Sequence, residues 1–419
     1  MPTETPHVLL AAYQCGPGMG SVSQIGWEWY SRLAARQPVT LVTHVRNRER
    51  ISQTDAPWGG PEIIYIDTEW FAGPLYRFAS KLFPKSEHSV FLVSSLDYFI
   101  YDYEAVKLLK RRVKQGHRWD VTHVVTPVTT SAPTRLHQLG RPVLTGPLNA
   151  GLGIPPGFRE TMRAESTWFY PIRHLSRLVD WLTGSTRHVS RILTATQATR
   201  ASIPARYRSR CVQMLENGVD LNRFQATAWP EPPTATNPLK ILFVGRLIAF
   251  KALPLLFEAL ACVRREFPVE LTVVGSGPME QEWKNQAAAL GLEQEIFFAG
   301  GLSLDQVAER MRAAHVFCLP SVRESGGAVL LEAMASARPV IAVAFGGPAE
   351  IVDEGVGCAI APEGPEAVTA GFAEALRDLY RNPDRWRQRG LEGRRRAEQQ
   401  FDWDAKITAA NQLYQQVMS

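Results

Sequence analysis

The chain has 419 residues, 45% of them hydrophobic and 21% charged, with a formal net charge of +5. That length suits two or three ordinary domains, and the balance is that of a globular chain rather than a disordered one. A charge this mild does not argue for nucleic acid; it fits anionic small ligands or a loose membrane association. No run of about 18 apolar residues occurs, which argues against a spanning helix. The N-terminal MPTETPHVLLAAYQ lacks a basic segment and its apolar run is short, so no secretory signal is expected. Five scattered cysteines without a CxxC pair point away from a zinc knuckle or a disulfide framework, and toward a reducing, cytoplasmic location.

The first predicted element is the buried strand HVLLAAYQ (7–14). The glycine-rich loop CGPGMGS follows, then the helix SQIGWEWYSRLAAR and the strand VTLVTHV (39–45). A β-loop-α-β order implies a parallel sheet with right-handed crossovers. EIIYID (62–67), VTHVVTP (121–127), RPVLTGP (141–147), RILTATQ (191–197) and RCVQMLENGV (210–219) continue that sheet. Residues 225–239, QATAWPEPPTATNPL, show no period and almost no charge, and read as a linker. The pattern then restarts with the strand KILFVGRL (240–247), the helix PLLFEALACVRREF and the strand VELTVVGSG. IFFAGGL, HVFCLPS and RPVIAVAFGG are three further strands, and WDAKITAANQLYQQVMS closes the chain as a helix. The fold class expected is α/β, two doubly wound Rossmann-like domains facing a central cleft, where ligands of open α/β sheets bind.

Several motifs sit at strand ends of the second half. In VGRLIAFK (244–251), Arg246 offers a rigid fork for phosphate oxygens and Lys251 a point charge. GSGP (275–278) permits close backbone approach, although alone it is a weak signal. In RESGGAVLLEAMASARPVIA (323–342), Glu324 precedes a helix expected to start near Gly327 or Ala328, and Glu332 lies inside it. The amides of Gly326, Gly327 and Ala328 would form a helix N-terminus suited to an anion. Eight helical positions span about 12 Å, roughly the reach of a sugar nucleotide from hexose to ribose. The plain alternative is an exposed loop glutamate and a first-turn glutamate stabilised by the helix dipole.

Taken in order, VGRLIAFK, VVGSGP, FAGGL, ESGGAVLLEAMASARPVIA and FGGPAEIV resemble a retaining family 4 glycosyltransferase of the GT-B fold. ENGVDLNRF (216–224) is similar to that family's signature at the domain junction. The resemblance covers residues 191–419 closely and 1–190 loosely. It implies an acceptor-binding domain over 1–224, the linker 225–239, and a nucleotide-sugar-binding domain over 240–404, with the helix 405–419 packing back on the first domain. It implies that Glu324 contacts the transferred sugar and Glu332 the ribose. Arg246 and Lys251, beside Gly245, would neutralise the donor diphosphate, and the Gly326–Ala328 amides would assist. Gly18 and Gly20 would approach the donor phosphates or the acceptor. Two departures stand out. The family has Lys-Gly where this chain has Lys251-Ala252, and an aromatic residue is common at the position of Gly326. A third concerns the pattern Asp-x-x-His-x-His: Asp120 and His123 match, but Val125 replaces the second histidine. His123 is thus a candidate for orienting the acceptor, or a satisfied core histidine. Asn149 of TGPLNAG is a further acceptor candidate.

The implied activity moves a sugar from a nucleoside diphosphate sugar to an acceptor hydroxyl with retained configuration, in polysaccharide or lipid-linked glycan synthesis. No cofactor and no metal is implied, since basic side chains and helix dipoles take the place of an ion. Domain closure across the linker would exclude water. Asp402-Trp403-Asp404 spells a metal-binding pattern of another fold, but stands where aspartate caps a helix. TWFYPIRHLSRLVDWLTGSTRHVSR (167–191) and KLLKRRVKQGHR (107–118) mix aromatics or apolar residues with cations. Either is a peripheral membrane contact on the inner face or a packed helix with a solvated cationic side. The rival functions are a non-catalytic nucleotide-sugar-binding scaffold, which would keep the pocket without turnover, and another GT-B enzyme such as a sugar-nucleotide epimerase, which would need no acceptor.

Overall fold

A computed structural model describes residues 5–54, 62–82, 96–158 and 178–419, the side chain of Pro156 excepted. The chain divides into two compact units. The first comprises Met1–Gly151, Thr167–Glu216 and Ile407–Ser419; the second comprises Leu152–Ser166 and Asn217–Lys406.

The first unit is built on a seven-stranded sheet of order β3-β2-β1-β4-β5-β6-β7. Its strands are β1 Val8–Ala12, β2 Val39–His44, β3 Ile63–Ile66, β4 Val121–Thr126, β5 Val143–Leu148, β6 Arg191–Thr194 and β7 Cys211–Gln213. Every pairing is parallel. Every residue of β1, β2 and β4 is buried. Strands covered on both faces have no use for polar alternation, and so read as continuous apolar or β-branched runs. A core of Leu9, Val42, Ile64, Tyr98, Tyr101 and Leu109 packs on one face of this sheet.

The second unit has six parallel strands in the order β10-β9-β8-β11-β12-β13. These are β8 Leu239–Val244, β9 Val269–Val274, β10 Ile296–Gly300, β11 Val316–Leu319, β12 Val340–Val343 and β13 Gly357–Ile360. The order reverses between β8 and β11, the topological switch point at which open α/β sheets leave a crevice. Helices fill the connections for local reasons. Pro254 opens the helix Pro254–Val263, where its missing N–H costs nothing. Ser303 and Gln306 form a reciprocal capping box at the start of Leu304–Ala313.

Residues 225–238 carry no helix or strand, but they are fastened to the second unit. The buried Arg338 donates to Thr227 Oγ1 at 2.9 Å and to the Ala228 carbonyl at 3.1 Å. Trp229 Nε1 donates to the His315 carbonyl at 2.9 Å, and His315 Nε2 meets the Glu231 carbonyl at 2.8 Å. Asp402 caps the terminal helix Trp403–Met418, its Oδ2 accepting from the amides of Asp404 (3.1 Å) and Ala405 (3.2 Å). The stretch 107–118 falls largely within the helix Asp97–Lys114. Of the aromatic and basic stretch 167–191, residues 167–177 lie outside the described residues. Among the described residues, no helix is long and apolar enough to cross a membrane.

Candidate functional site

The sequence places most of its candidate residues on loops beside the switch point of the second unit. The connection after β8 holds Gly245, Arg246 and Lys251. It is stitched to the loop after β9: the Leu247 amide donates to the Ser276 carbonyl at 2.9 Å, and the Met279 amide to the Leu247 carbonyl at 3.1 Å. A Cβ at Gly277 would overlap the Leu247 carbonyl, so GSGP serves the close approach of two backbones. The β8 loop ends in a short 3-10 turn, Ala249–Lys251, and Ala252 then takes φ 47°, ψ 35°. That left-handed conformation costs an alanine about 1 kcal/mol relative to glycine. The departure from Lys-Gly therefore keeps the backbone and accepts the strain.

Lys251 and Glu324 come together: Nζ of the lysine pairs with Oε2 of the glutamate, both side chains largely buried. Glu324 is held by the loop after β12. The Gly347 amide donates to the Glu324 carbonyl at 3.1 Å, and Glu324 and Gly346 form an isolated parallel bridge. A Cβ at Gly346 would overlap the Glu324 carbonyl, and one at Gly347 the carbonyl of Ser325. The glycine pair thus lets a neighbouring backbone grip the carboxylate's own backbone. Three residues on, Gly327 turns the chain with φ 54° into the helix Ala328–Ala335. No acceptor among the described residues meets the amides of Gly326, Gly327 and Ala328, which leaves a helix N-terminus open to an anion.

Glu332 is the fifth residue of that helix, past the first turn and its dipole. Its carboxylate accepts no hydrogen bond among the described residues, and only the Glu332 backbone carbonyl is engaged, by Ser336. Burial pushes the Glu332 carboxyl up to about 7, with the Arg223 guanidinium pulling the other way. Arg223 itself donates to Asp305 at 2.9 Å. Sequence reasoning quoted Arg223 within ENGVDLNRF without giving it a role, because nothing local marks its proximity to a carboxylate far along the chain. Arg246 is exposed on the β8 loop.

The other candidates belong to the first unit. Gly18 and Gly20 lie between β1 and the helix Ser21–Ala34, with φ of 70° and 102°, and a Cβ at either would meet open space. Asn149 Nδ2 donates to Glu216. His123, on β4, is fully buried. Its Nε2 lies 2.7 Å from the Gly146 carbonyl and its Nδ1 2.7 Å from the Tyr414 hydroxyl. A carbonyl only accepts, so Nε2 carries the proton and Nδ1 accepts from Tyr414. Trp29 packs edge-on, ring centroids 4.9 Å apart. Desolvation lowers the imidazole to about 4. With both nitrogens engaged inside the unit, the ring has the setting of the satisfied core histidine.

The chain is similar to several known proteins. Residues 226–392 match the family model described as glycosyl transferases group 1. Glycogen synthase of Mycobacterium tuberculosis is 32% identical over 210 residues, 48% of this chain and 48% of that protein. D-inositol 3-phosphate glycosyltransferase of Kineococcus radiotolerans is 34% identical over 232 residues, 49% and 52% of the two chains. The chain spans about half the length of the curated relatives it matches. The crystal structure of Anabaena HepE in complex with UDP superposes with a TM-score of 0.63 at 17% identity, covering 98% of each chain. The sucrose-phosphate synthase structure from Thermosynechococcus elongatus gives 0.63 at 20% identity, again over 98% of each. These likenesses show the fold, two Rossmann-like parallel sheets of the GT-B class. The match to the glycosyl transferases group 1 model is confined to residues 226–392, so it is this segment, within a GT-B-like fold, that resembles that family.

Proposed function

We propose that this protein is a retaining, metal-independent glycosyltransferase. It moves a sugar from a nucleoside diphosphate sugar to an acceptor hydroxyl in polysaccharide or lipid-linked glycan synthesis. The observation that carries the reading is the grouping at the second unit's switch point: the Lys251–Glu324 pair and, without hydrogen-bond partners among the described residues, the amides of Gly326–Ala328 and the carboxylate of Glu332. Each half of that grouping suits one part of the donor. Lys251, Arg246 and the amides neutralise the diphosphate, where charge builds as the glycosidic bond to the leaving group breaks. Glu332 accepts hydrogen bonds from the ribose diol, and Glu324 from the sugar hydroxyls.

The site itself contains a stand-in for the ligand's charge. Lys251 is neutralised by Glu324, so the diphosphate replaces a carboxylate as the lysine's partner and frees Glu324 for the sugar. The acceptor oxygen attacks the anomeric carbon on the face the diphosphate leaves, and the leaving phosphate takes the acceptor's proton. That front-face displacement preserves the configuration without a protein nucleophile. His123 has no part in it, since both its nitrogens are bonded within the first unit. The site works in a cytoplasmic, reducing setting, where nucleotide sugars are available.

A thermal-shift panel of UDP, GDP, ADP and TDP, each with and without sugar, tests the donor site. A ligand present at about 100 times its Kd adds about 2.7 kcal/mol to the folded state. One nucleotide should raise the unfolding temperature of the wild type, and much less that of Lys251→Ala. Absence of a shift with every nucleotide at millimolar concentration would overturn the reading. Proton NMR of the product's anomeric centre then tests retention.

A further inference from the structure

The first unit carries a helix whose outward face is apolar where solvent would favour charge. In Glu69–Leu82, Ala72 and Ala79 face the core. Trp70, Pro74, Phe78 and Leu82 recur every four residues and are all exposed, which sets them in one ridge along the helix. Trp70 is 67% exposed, Phe78 61% and Leu82 55%. Scattered surface hydrophobes need no explanation, but a continuous ridge of large ones does. Arg77 and Lys81 flank the ridge, one position before Phe78 and Leu82, and both are exposed. The helix Asp97–Lys114 packs beside it and adds exposed Arg111 and Lys114. None of these four cations has a carboxylate within ion-pair distance among the described residues, whereas Lys107 on the same helix has Glu104 and Arg46 nearby has Glu69.

We propose that this face docks the protein on an anionic lipid surface. Trp70, Phe78 and Leu82 enter the boundary between headgroups and acyl chains, and the unpaired cations meet headgroup phosphates. The charge favours this occupant: a second protein would have to supply both a groove for the ridge and several carboxylates, whereas an anionic bilayer presents apolar depth and negative charge together. The inference leans on the proposed transferase activity only for its purpose, which is to bring the protein to a lipid-linked acceptor.

Co-sedimentation with vesicles is the test, run without nucleotide. Vesicles of phosphatidylcholine alone are compared with vesicles containing about one third phosphatidylglycerol. The wild type should pellet with the anionic vesicles and be released by high salt. The triple variant Trp70→Ser, Phe78→Ser, Leu82→Ser should partition at least about tenfold less. The variant Arg77→Gln, Lys81→Gln, Arg111→Gln, Lys114→Gln should lose its preference for anionic vesicles. All these side chains are exposed, so both variants should keep the wild-type unfolding temperature and any nucleotide-induced shift; that control separates failure here from failure of the donor site. A wild type that stays in the supernatant with both vesicles would overturn the proposal. So would a triple variant that binds as the wild type does, or a ridge whose removal abolishes only self-association in sedimentation velocity.

Discussion

Replacing Glu332 by glutamine should stabilise the nucleotide-free protein at high pH and cost it nucleotide affinity. The carboxyl sits at about 7, against an ordinary 4.5, because burial penalises its charge. The folded state therefore holds a proton that the unfolded chain gives up. The neutral form's advantage is complete below about pH 4.5 and is lost as pH rises through about 7. Two and a half pH units correspond to about 3 kcal/mol. Glutamine stays neutral throughout, so Glu332→Gln should match the wild type near pH 4.5 and exceed it by up to about 3 kcal/mol at pH 8. For a unit of this size that is a rise of several degrees in unfolding temperature, at about 2–4 °C per kcal/mol. With nucleotide that advantage shrinks, because in the proposed role the ionised carboxylate bonds the ribose diol and the amide does so weakly. Charged hydrogen bonds contribute about 1.5–3 kcal/mol, so the variant should bind nucleotide about 10- to 100-fold more weakly at pH 8. Urea unfolding at several pH values, with and without nucleotide, reads both effects. An equal stability difference at pH 4.5 and pH 8 would refute the argument from burial; unchanged nucleotide affinity would refute the ribose role.

Ala252→Gly should stabilise the protein by about 1 kcal/mol, since φ 47° strains alanine and not glycine; a loss in urea midpoint would contradict this. Arg338→Met should destabilise by at least about 3 kcal/mol, because its guanidinium serves the carbonyls of Met311, Arg312 and Ala228 and the hydroxyl of Thr227, and limited proteolysis should then cut within 225–238 first. His123, lowered to about 4, contributes stability that is present above about pH 6.5 and lost as pH falls toward 4; His123→Gln should flatten that acid limb and leave turnover per folded molecule within a fewfold of wild type. A double-mutant cycle on Lys251 and Glu324 should give a coupling of about 1 kcal/mol in the empty protein, vanishing once nucleotide is bound.

The strands of both sheets were legible because buried parallel strands are nearly continuous β-branched runs. β13 was not. Its sequence, GCAI, is short and opens on Gly357, whose missing Cβ makes room for the Val340 carbonyl on the neighbouring strand; the requirement comes from a partner strand and leaves no periodic mark. The segment 225–238 has a linker's composition, and its attachment to the second unit depends on Arg338, more than a hundred residues away. The same distance in sequence hides the environment of His123, whose partner Tyr414 lies 291 positions later. The ridge on Glu69–Leu82 left no mark because a four-residue recurrence of large apolar side chains does not say whether they face the core or the solvent.

The order of charges along the second unit was legible; their pairing was not. Lys251 and Glu324 are 73 positions apart, and only the adjacency of β8 and β11 brings them together. That pairing explains why two carboxylates eight residues apart live so differently. Glu324 has a cation and its backbone is gripped by Gly346 and Gly347. Glu332 feels the Arg223 guanidinium, its carboxylate accepts no hydrogen bond among the described residues, and burial opposes its charge. A ligand that relieves both must take Lys251 from Glu324 with negative charge of its own and offer hydroxyl donors to Glu332. An inorganic phosphate can do the first, and a free sugar the second. A nucleoside diphosphate does both in one molecule, so its binding should exceed what its fragments achieve separately.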